Sequence, residues 1–129
     1  MTHQIDLAEV EAMLATRRKA IEADLEGDSE EAVIARNEVE VAHAMTIWRT
    51  KEANRGTNPK HIIEAMIRNS VASIAGQLLQ SIRSPDDQAS AAVGICQEML
   101  LHMLKIISAT EEERAKYSRV IKATDGGAA

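Results

Sequence analysis

Residues 84–108 read SPDDQASAAVGICQEMLLHMLKIIS. The opening serine–proline pair is typical of a helix cap followed by a first turn. Between Asp87 and Lys105 the only formal charge is Glu98. A helix that is apolar on nearly every side belongs in the middle of an assembly, where either other helices of its chain or a second copy of the chain covers it.

Outward from this stretch, apolar residues at helical spacing, bounded by cap residues, glycines and prolines, predict three more long helices and one short one. The predicted helices are 7–25, 28–54, 59–83, 85–108 and 110–122. The chain has no Phe, one Trp and one Tyr, so its core consists of aliphatic residues and Met, which favours helices over a sheet. The short connections predict an all-α fold: an antiparallel four-helix bundle, or two long helical hairpins, plus a short C-terminal helix.

The length of 129 residues suits one domain. We therefore predict a single helical domain over residues 1–124 and a disordered tail over residues 125–129. The helices 59–83 and 85–108 carry more apolar surface than the first two helices can cover, which predicts a homodimer through these two helices. A closed monomeric bundle is the alternative.

The net charge of −5 is unevenly distributed along the chain. Residues 1–40 hold eleven acidic and four basic residues, whereas residues 41–68 hold two acidic and five basic ones. An acidic first hairpin suits electrostatic steering onto a basic partner, although solvated helix faces are the simpler explanation. The acidic balance and the near absence of aromatic residues argue against direct nucleic-acid binding.

Several sequence features that would place the chain outside the cytoplasm are absent. There is no basic segment followed by an apolar one at the N-terminus, and no uninterrupted apolar run of about 18 residues. A single cysteine, Cys96, excludes an internal disulfide bond. We therefore expect a cytoplasmic protein that does not bind a membrane.

Catalytic signatures are also missing. The chain has no phosphate-binding glycine loop, no dinucleotide fingerprint and no nucleophile motif. Cys96 lies in an apolar stretch, which is typical of a core cysteine rather than a reactive thiol. The sequence predicts no enzymatic activity and no cofactor.

A metal site is the first alternative that the sequence raises. Glu40 and His43 have the Glu-x-x-His spacing with which di-iron bundles direct two ligands at one ion. A complete site needs a second such motif and further inward glutamates, and the other Glu/His neighbours in the chain have the reversed order or a spacing of four. At 100° per residue, Glu40 and His43 fall on the polar face of their helix, opposite the apolar face formed by Ile34 and Val41. We predict a solvated pair and no metal site, with a metal-binding bundle as an alternative function.

A phosphotransfer site is the second alternative. The segment from His102 to Lys105 resembles the His-x-x-Lys arrangement of histidine phosphotransfer domains, which are four-helix bundles with an exposed histidine on a long helix. That resemblance implies a signalling protein in which His102 accepts the phosphoryl group beside Lys105. In that family a small residue follows the lysine, whereas this chain has Ile106. The other interpretation is an exposed Glu98–His102 pair one helical turn apart.

Glu38 and Trp48 stand out on the helix 28–54. Glu38 interrupts the apolar face, where a charge is costly unless it is paired. Arg17 or Arg18 interrupts the first helix at mid-length, and either would meet Glu38 in an antiparallel hairpin. Such a pair sets the register of the two helices. Trp48 is either a core residue or an anchor for a partner.

The function that the sequence favours is protein–protein interaction. We predict a small acidic helical module that acts as a regulatory adaptor or as an inhibitor of a larger machine, with nucleic-acid-binding machines as one candidate class. The acidic first hairpin is the expected contact surface, with Glu30, Glu31, Glu38 and Trp48 as the partner-binding residues.

Overall fold

The computed structural model describes residues 4–113, and every regular element among them is helical, which confirms the all-α prediction for this part of the chain. The α-helices are α1 Leu7–Ala20, α2 Glu30–Asn37, α3 His43–Asn54, α4 Pro59–Ser81 and α5 Pro85–Ser108; a 3₁₀ turn spans Glu22–Leu25 and a π-helical segment spans Glu38–Ala42. These elements form two compact units, an N-terminal unit up to residue 58 and a C-terminal unit from residue 59 to residue 113. A four-helix bundle and a dimer stay predictions, as does the single domain.

The predicted helix 110–122 and the tail 125–129 lie outside the described residues, except for the first turn of that helix. There the Thr110 hydroxyl accepts a hydrogen bond from the Glu113 N–H at 3.2 Å, and it donates one to the Glu113 carboxylate at 3.2 Å. These contacts are the cap that begins a helix.

The turn of the N-terminal unit is fixed by one arginine. Helix α1 ends at Ala20, five residues earlier than predicted, and the chain continues as the 3₁₀ turn. Gly27 has a φ of 101°, a conformation that favours glycine. The Arg36 guanidinium donates from Nη1 to the carbonyl oxygens of Leu25 and Gly27, at 2.9 and 2.8 Å. Charge-assisted hydrogen bonds of this kind hold the turn closed.

Asn54 joins the other ends of the two helical segments in this unit. Its Oδ1 accepts from the Ile5 N–H at 2.7 Å, and its Nδ2 donates to the Ile5 carbonyl oxygen at 2.8 Å. Helix α1 also packs on α3. Because residue 5 meets residue 54 while the turn lies between residues 20 and 30, the N-terminal unit is an antiparallel helical hairpin.

The core of this hairpin is small and partly polar. Thr50 is 0% exposed, and its hydroxyl donates to the Thr46 carbonyl oxygen at 2.8 Å, while the Thr46 hydroxyl donates to the Ala42 carbonyl oxygen at 3.0 Å. Both buried hydroxyls therefore have partners. The buried residues of the unit are Val10, Leu14, Ile21, Ala32, Ala35, His43, Thr46 and Thr50.

A π-helical segment interrupts the helix that was predicted over residues 28–54. The His43 N–H donates to the Glu38 carbonyl oxygen, five residues back, so one extra residue is inserted into the helix. The insertion turns α3 by about 100° relative to a regular continuation of α2. The predicted apolar face is wrong, because His43 is buried at 7% exposure whereas Ile34 and Val41 are exposed. The small residues Ala32 and Ala35 line the buried face of α2 instead.

The C-terminal unit consists of α4 and α5, which pack on each other. Three residues join them, a connection that suits antiparallel neighbours. The Ser84 hydroxyl accepts from the Asp87 N–H at 3.5 Å at the start of α5, and Gln88 Nε2 donates to the Ile82 carbonyl oxygen at 2.6 Å. No residue of either helix is buried.

Candidate functional site

Arg17, Glu38 and His43 form a cluster of interacting charged and titratable side chains in the N-terminal unit. Arg17 donates from Nε and Nη2 to the two carboxylate oxygens of Glu38, each at 3.0 Å. His43 Nε2 lies 2.9 Å from Glu38 Oε2. The predicted partner of Glu38 is therefore confirmed, and it is Arg17 rather than Arg18. The histidine was missed because Ile34 and Val41 predicted a buried face on the opposite side of the helix, and the structure leaves both of them exposed.

Hydrogen bonding determines the charge of this cluster. The two hydrogen bonds from Arg17 hold the pKa of the Glu38 carboxyl below its usual range; partial burial opposes this effect and the hydrogen bond with His43 adds to it. The same contact with Glu38 raises the pKa of Arg17, against a smaller lowering by burial. Both groups are therefore charged at neutral pH. Both oxygens of Glu38 already accept hydrogen bonds inside the unit, so this residue is poorly placed to bind an outside partner.

A depression of about 340 Å³ runs along one face of α1. Its described lining residues are Ala12, Met13, Thr16, Arg17 and Ala20. The lining offers methyl groups, a thioether and a hydroxyl that donates to its own helix, at the Ala12 carbonyl oxygen. The guanidinium is already bound to Glu38. The described lining thus supplies packing surface, and among its five residues there is no group suited to acid–base or nucleophilic chemistry.

The candidate metal ligands are not brought together. Glu40 is exposed, whereas His43 is buried and paired with Glu38. Within residues 4–113 no group of three or more His, Cys, Asp or Glu side chains is arranged to hold a metal ion. This arrangement gives the metal-binding alternative no support.

The acidic turn, residues 22–31, is the most negative segment of the unit. It carries six acidic residues and no basic one, and Glu30 and Glu31 are exposed in the first turn of α2. Trp48 is half-buried on α3. It follows Glu31 by 17 residues of nearly continuous helix, which correspond to roughly 25 Å. The structure therefore does not bring the predicted partner-binding residues into one patch.

The predicted phosphotransfer residues lie on α5. His102 Nε2 is 3.6 Å from Glu98 Oε1, and the two side chains are 71% and 72% exposed. Lys105 is exposed on the same stripe, one turn later. The structure thus contains the exposed Glu98–His102 pair that the sequence offered as the simpler interpretation.

Exposed apolar side chains cover much of the C-terminal unit. Every residue from Cys96 to Lys105 is exposed, so the expectation of a buried cysteine is wrong within a single chain. Large apolar residues of this unit that are more than a third exposed are Ile63, Ile67, Val71, Leu79, Val93, Met99, Leu100, Leu101, Met103, Leu104 and Ile107. We call this set the hairpin surface. Exposed apolar surfaces of this extent are typical of interaction sites.

Helix α5 is also long and apolar enough to cross a membrane, judged by length and composition within the described residues. The sequence has no uninterrupted apolar run of about 18 residues, but α5 meets this weaker condition because few of its residues are charged. A helix at the centre of a soluble assembly meets the same condition, so this property alone does not distinguish lipid from protein as the covering surface.

Comparison with known proteins gives no match. No family model, no curated protein and no solved structure is significantly similar to the chain.

Proposed function

We propose that this chain is a homodimeric protein-interaction module. Its C-terminal unit joins two copies, and its N-terminal unit offers the acidic turn to a basic surface on a larger partner, as a regulatory adaptor or inhibitor does. The observation that carries the proposal is the hairpin surface, because a folded helical pair that leaves so many large apolar residues exposed requires a covering partner.

The size of the hairpin surface suits a dimer. Its eleven side chains are each about half exposed, so together they supply on the order of 500 Å² of apolar area. One side of a standard interface buries about 800 Å², somewhat more than half of it apolar. One hairpin therefore offers the apolar area that one side of a stable interface needs.

Charge also favours self-association of the hairpin. Residues 59–108 carry four acidic and four basic residues, so two copies meet without net repulsion. Residues 1–58 carry twelve acidic and seven basic residues. Their balance of −5 equals the net charge of the whole chain. The module thus separates a neutral apolar half, suited to self-association, from an acidic half, suited to steering onto a basic partner.

Self-association is tested by sedimentation velocity at about 1 to 100 µM protein. We expect a species with twice the mass of one chain, and a shift to monomer when Ile67→Glu and Leu104→Glu are combined. The matched control is Val33→Glu with Val41→Glu, which places the same charges on exposed valines of the N-terminal unit. A wild-type chain that stays monomeric throughout this range would contradict the proposal.

The phosphotransfer alternative has its own test. Exposure of His102 meets one requirement of a phosphoryl acceptor, but the bulky Ile106 follows Lys105, where the family that this motif resembles has a small residue. Incubation with a phosphorylated receiver domain, using His102→Ala as the control, decides between the two functions. An acid-labile phosphate on the wild type alone would replace the interaction proposal with phosphotransfer.

A further inference from the structure

We propose that the dimer is formed by α5 packing on α5 of a second copy, antiparallel and with Leu100 at the two-fold axis. This inference rests on the proposed function, because it requires that the chain self-associates. It adds which helix forms the centre of the interface, which face of that helix is used and which register the two copies adopt.

Helix α5 contains a coiled-coil spacing on its exposed side. Val93, Cys96, Leu100, Met103 and Ile107 follow one another at intervals of three, four, three and four residues. We call these five residues the α5 seam. All of them are exposed in the single chain. Alternation of three and four is the pattern with which helices interlock side chains along a shared line.

The α5 seam is directed away from the contacts of α5 within its own chain. The half-buried residues of α5, which include Ala91, Ala92 and Ile95, mark the face that packs on α4. At 100° per residue, the centre of the seam lies about 110° around the helix from that face. A helix in a four-helix bundle contacts two neighbours at a similar angle, so α5 can contact α4 and a second α5 at once.

The charged stripe of α5 does not interfere with this pairing. Glu98, His102 and Lys105 lie about 170° from the centre of the seam, on the far side of the helix. The seam and the positions flanking it, Gln97, Met99, Leu104 and Ile106, contain no charge. A second copy therefore covers apolar groups while the charged side chains remain in water.

The proposed register centres the pair on Leu100, the middle residue of the α5 seam. In an antiparallel pair centred there, two residues face each other when their numbers add to 200. Val93 then faces Ile107 of the second copy, and Cys96 faces its Leu104. Four of the five seam residues thus face an apolar side chain, and the fifth, Met103, faces the uncharged Gln97. The same patch then serves both partners, as a two-fold interface requires.

Helix direction favours the antiparallel arrangement over the parallel one. The three-residue connection suits antiparallel packing of α4 and α5 within each chain. With that packing, an antiparallel α5 pair makes each α5 antiparallel to both of its neighbours. Helix dipoles then alternate in direction, whereas a parallel pair places like helix ends together. The expected dimer is a four-helix bundle made from two hairpins.

Disulfide trapping tests the register, because Cys96 is the single cysteine of the chain. In a Cys96→Ala background, chains with Val93→Cys are mixed with chains with Ile107→Cys and oxidised. We expect a disulfide-linked dimer in the mixture. Neither variant alone should form a disulfide-linked dimer, because two copies of the same position lie about 21 Å apart in this register. Disulfides within each single variant would overturn the antiparallel register, and so would wild-type dimers linked through Cys96.

Charge insertion tests which helix face is used. Leu100→Glu places two carboxylates against each other at the axis, and we expect the dissociation constant of the dimer to rise at least about 100-fold. The matched control, His102→Glu, adds a carboxylate two residues away on the far side and is expected to change the constant less than threefold.

The outcomes separate the inference from the proposed function. A dimer that persists in Leu100→Glu but dissociates in the Ile67/Leu104 double variant overturns the α5 interface and keeps the dimer. A wild-type chain that stays monomeric and floats with phosphatidylcholine vesicles overturns both, because lipid would then cover the hairpin surface.

Discussion

Arg17 and Glu38 lie 21 residues apart in the chain and are joined by two parallel hydrogen bonds of 3.0 Å across the N-terminal hairpin. His43 contacts the same carboxylate from the first residue of α3. A two-point contact of a guanidinium with a carboxylate fixes orientation as well as distance. The pair therefore sets the register of α1 against the long helical segment opposite it.

Replacing this carboxylate should destabilise the N-terminal unit. Glu38→Gln removes the charge that Arg17 and His43 share, and we expect a loss of about 1–2 kcal/mol in unfolding free energy. The loss stays modest because Arg17 is 39% exposed and water screens the pair. Urea unfolding followed by the fluorescence of Trp48 measures it, since that residue is half-buried in this unit and is the chain's single tryptophan.

The matched control is Glu40→Gln, which makes the same chemical change two residues away on an exposed side chain. Its unfolding free energy should stay within about 0.5 kcal/mol of the wild type. Equal losses in the two variants would show that the ion pair contributes nothing specific to stability.

Acid should weaken the wild type through this same carboxyl. The pKa of Glu38 is lowered in the folded state, so the carboxylate stabilises the fold at pH values above the unfolded pKa of about 4.3. That contribution is lost as the pH falls through the lower folded pKa. The stability gap between wild type and Glu38→Gln should therefore shrink on going from pH 6 to about pH 3, as measured by urea unfolding at each pH. A gap that stays constant or widens would contradict this assignment.

The sequence predicted the helices and the ion pair for a clear physical reason. Apolar spacing and cap residues are local signals of helices. A charged residue such as Glu38 on an apolar face is costly to bury unless an opposite charge lies directly across the hairpin from it. The buried position of His43 was missed because the large residues Ile34 and Val41 predicted the wrong buried face, whereas small and polar residues line the actual one. The exposure of Cys96 was missed for another reason. An apolar pattern indicates which residues favour burial, but it does not show whether residues of the same chain or of a second molecule bury them.

Removing the inserted residue should be tolerated. Eight residues separate the buried Ala35 from the buried His43, where two regular helical turns take about seven. Deleting Val41, which is exposed, converts the π-helical segment to a regular helix and keeps both residues on the buried face. We expect thermal unfolding followed by circular dichroism to give a melting temperature equal to or above that of the wild type.

Deletion of Val33 is the control, because this valine is exposed to the same degree but lies in the regular helix α2. Its removal rotates everything that follows by about 100° relative to Ala32, and we expect a loss of about 2 kcal/mol or more. Equal losses of stability in the two deletion variants would contradict this prediction. They would show that the π-helical segment stabilises the fold in some way other than by rotating α3 relative to α2.

Charge reversal in the acidic turn should weaken binding to a basic partner. Glu30→Lys with Glu31→Lys changes the net charge by four at an exposed helix end, and we expect slower association and at least a tenfold loss of affinity at low salt. Glu38 is left unchanged because it is bound to Arg17. Affinity capture with the tagged protein from its native cells identifies the partner, and surface plasmon resonance at two salt concentrations measures the effect.

The control for that experiment reverses Glu9 and Glu11, which are exposed on α1 outside the acidic turn. This variant has the same net charge as the Glu30/Glu31 variant. A difference in affinity between the two therefore reports direct contact with the acidic turn rather than attraction by the overall charge of the protein. A partner that binds both reversed variants as tightly as the wild type would show that the acidic turn is a solvated surface. The partner would then bind elsewhere, and the half-buried Trp48 would be the next residue to replace.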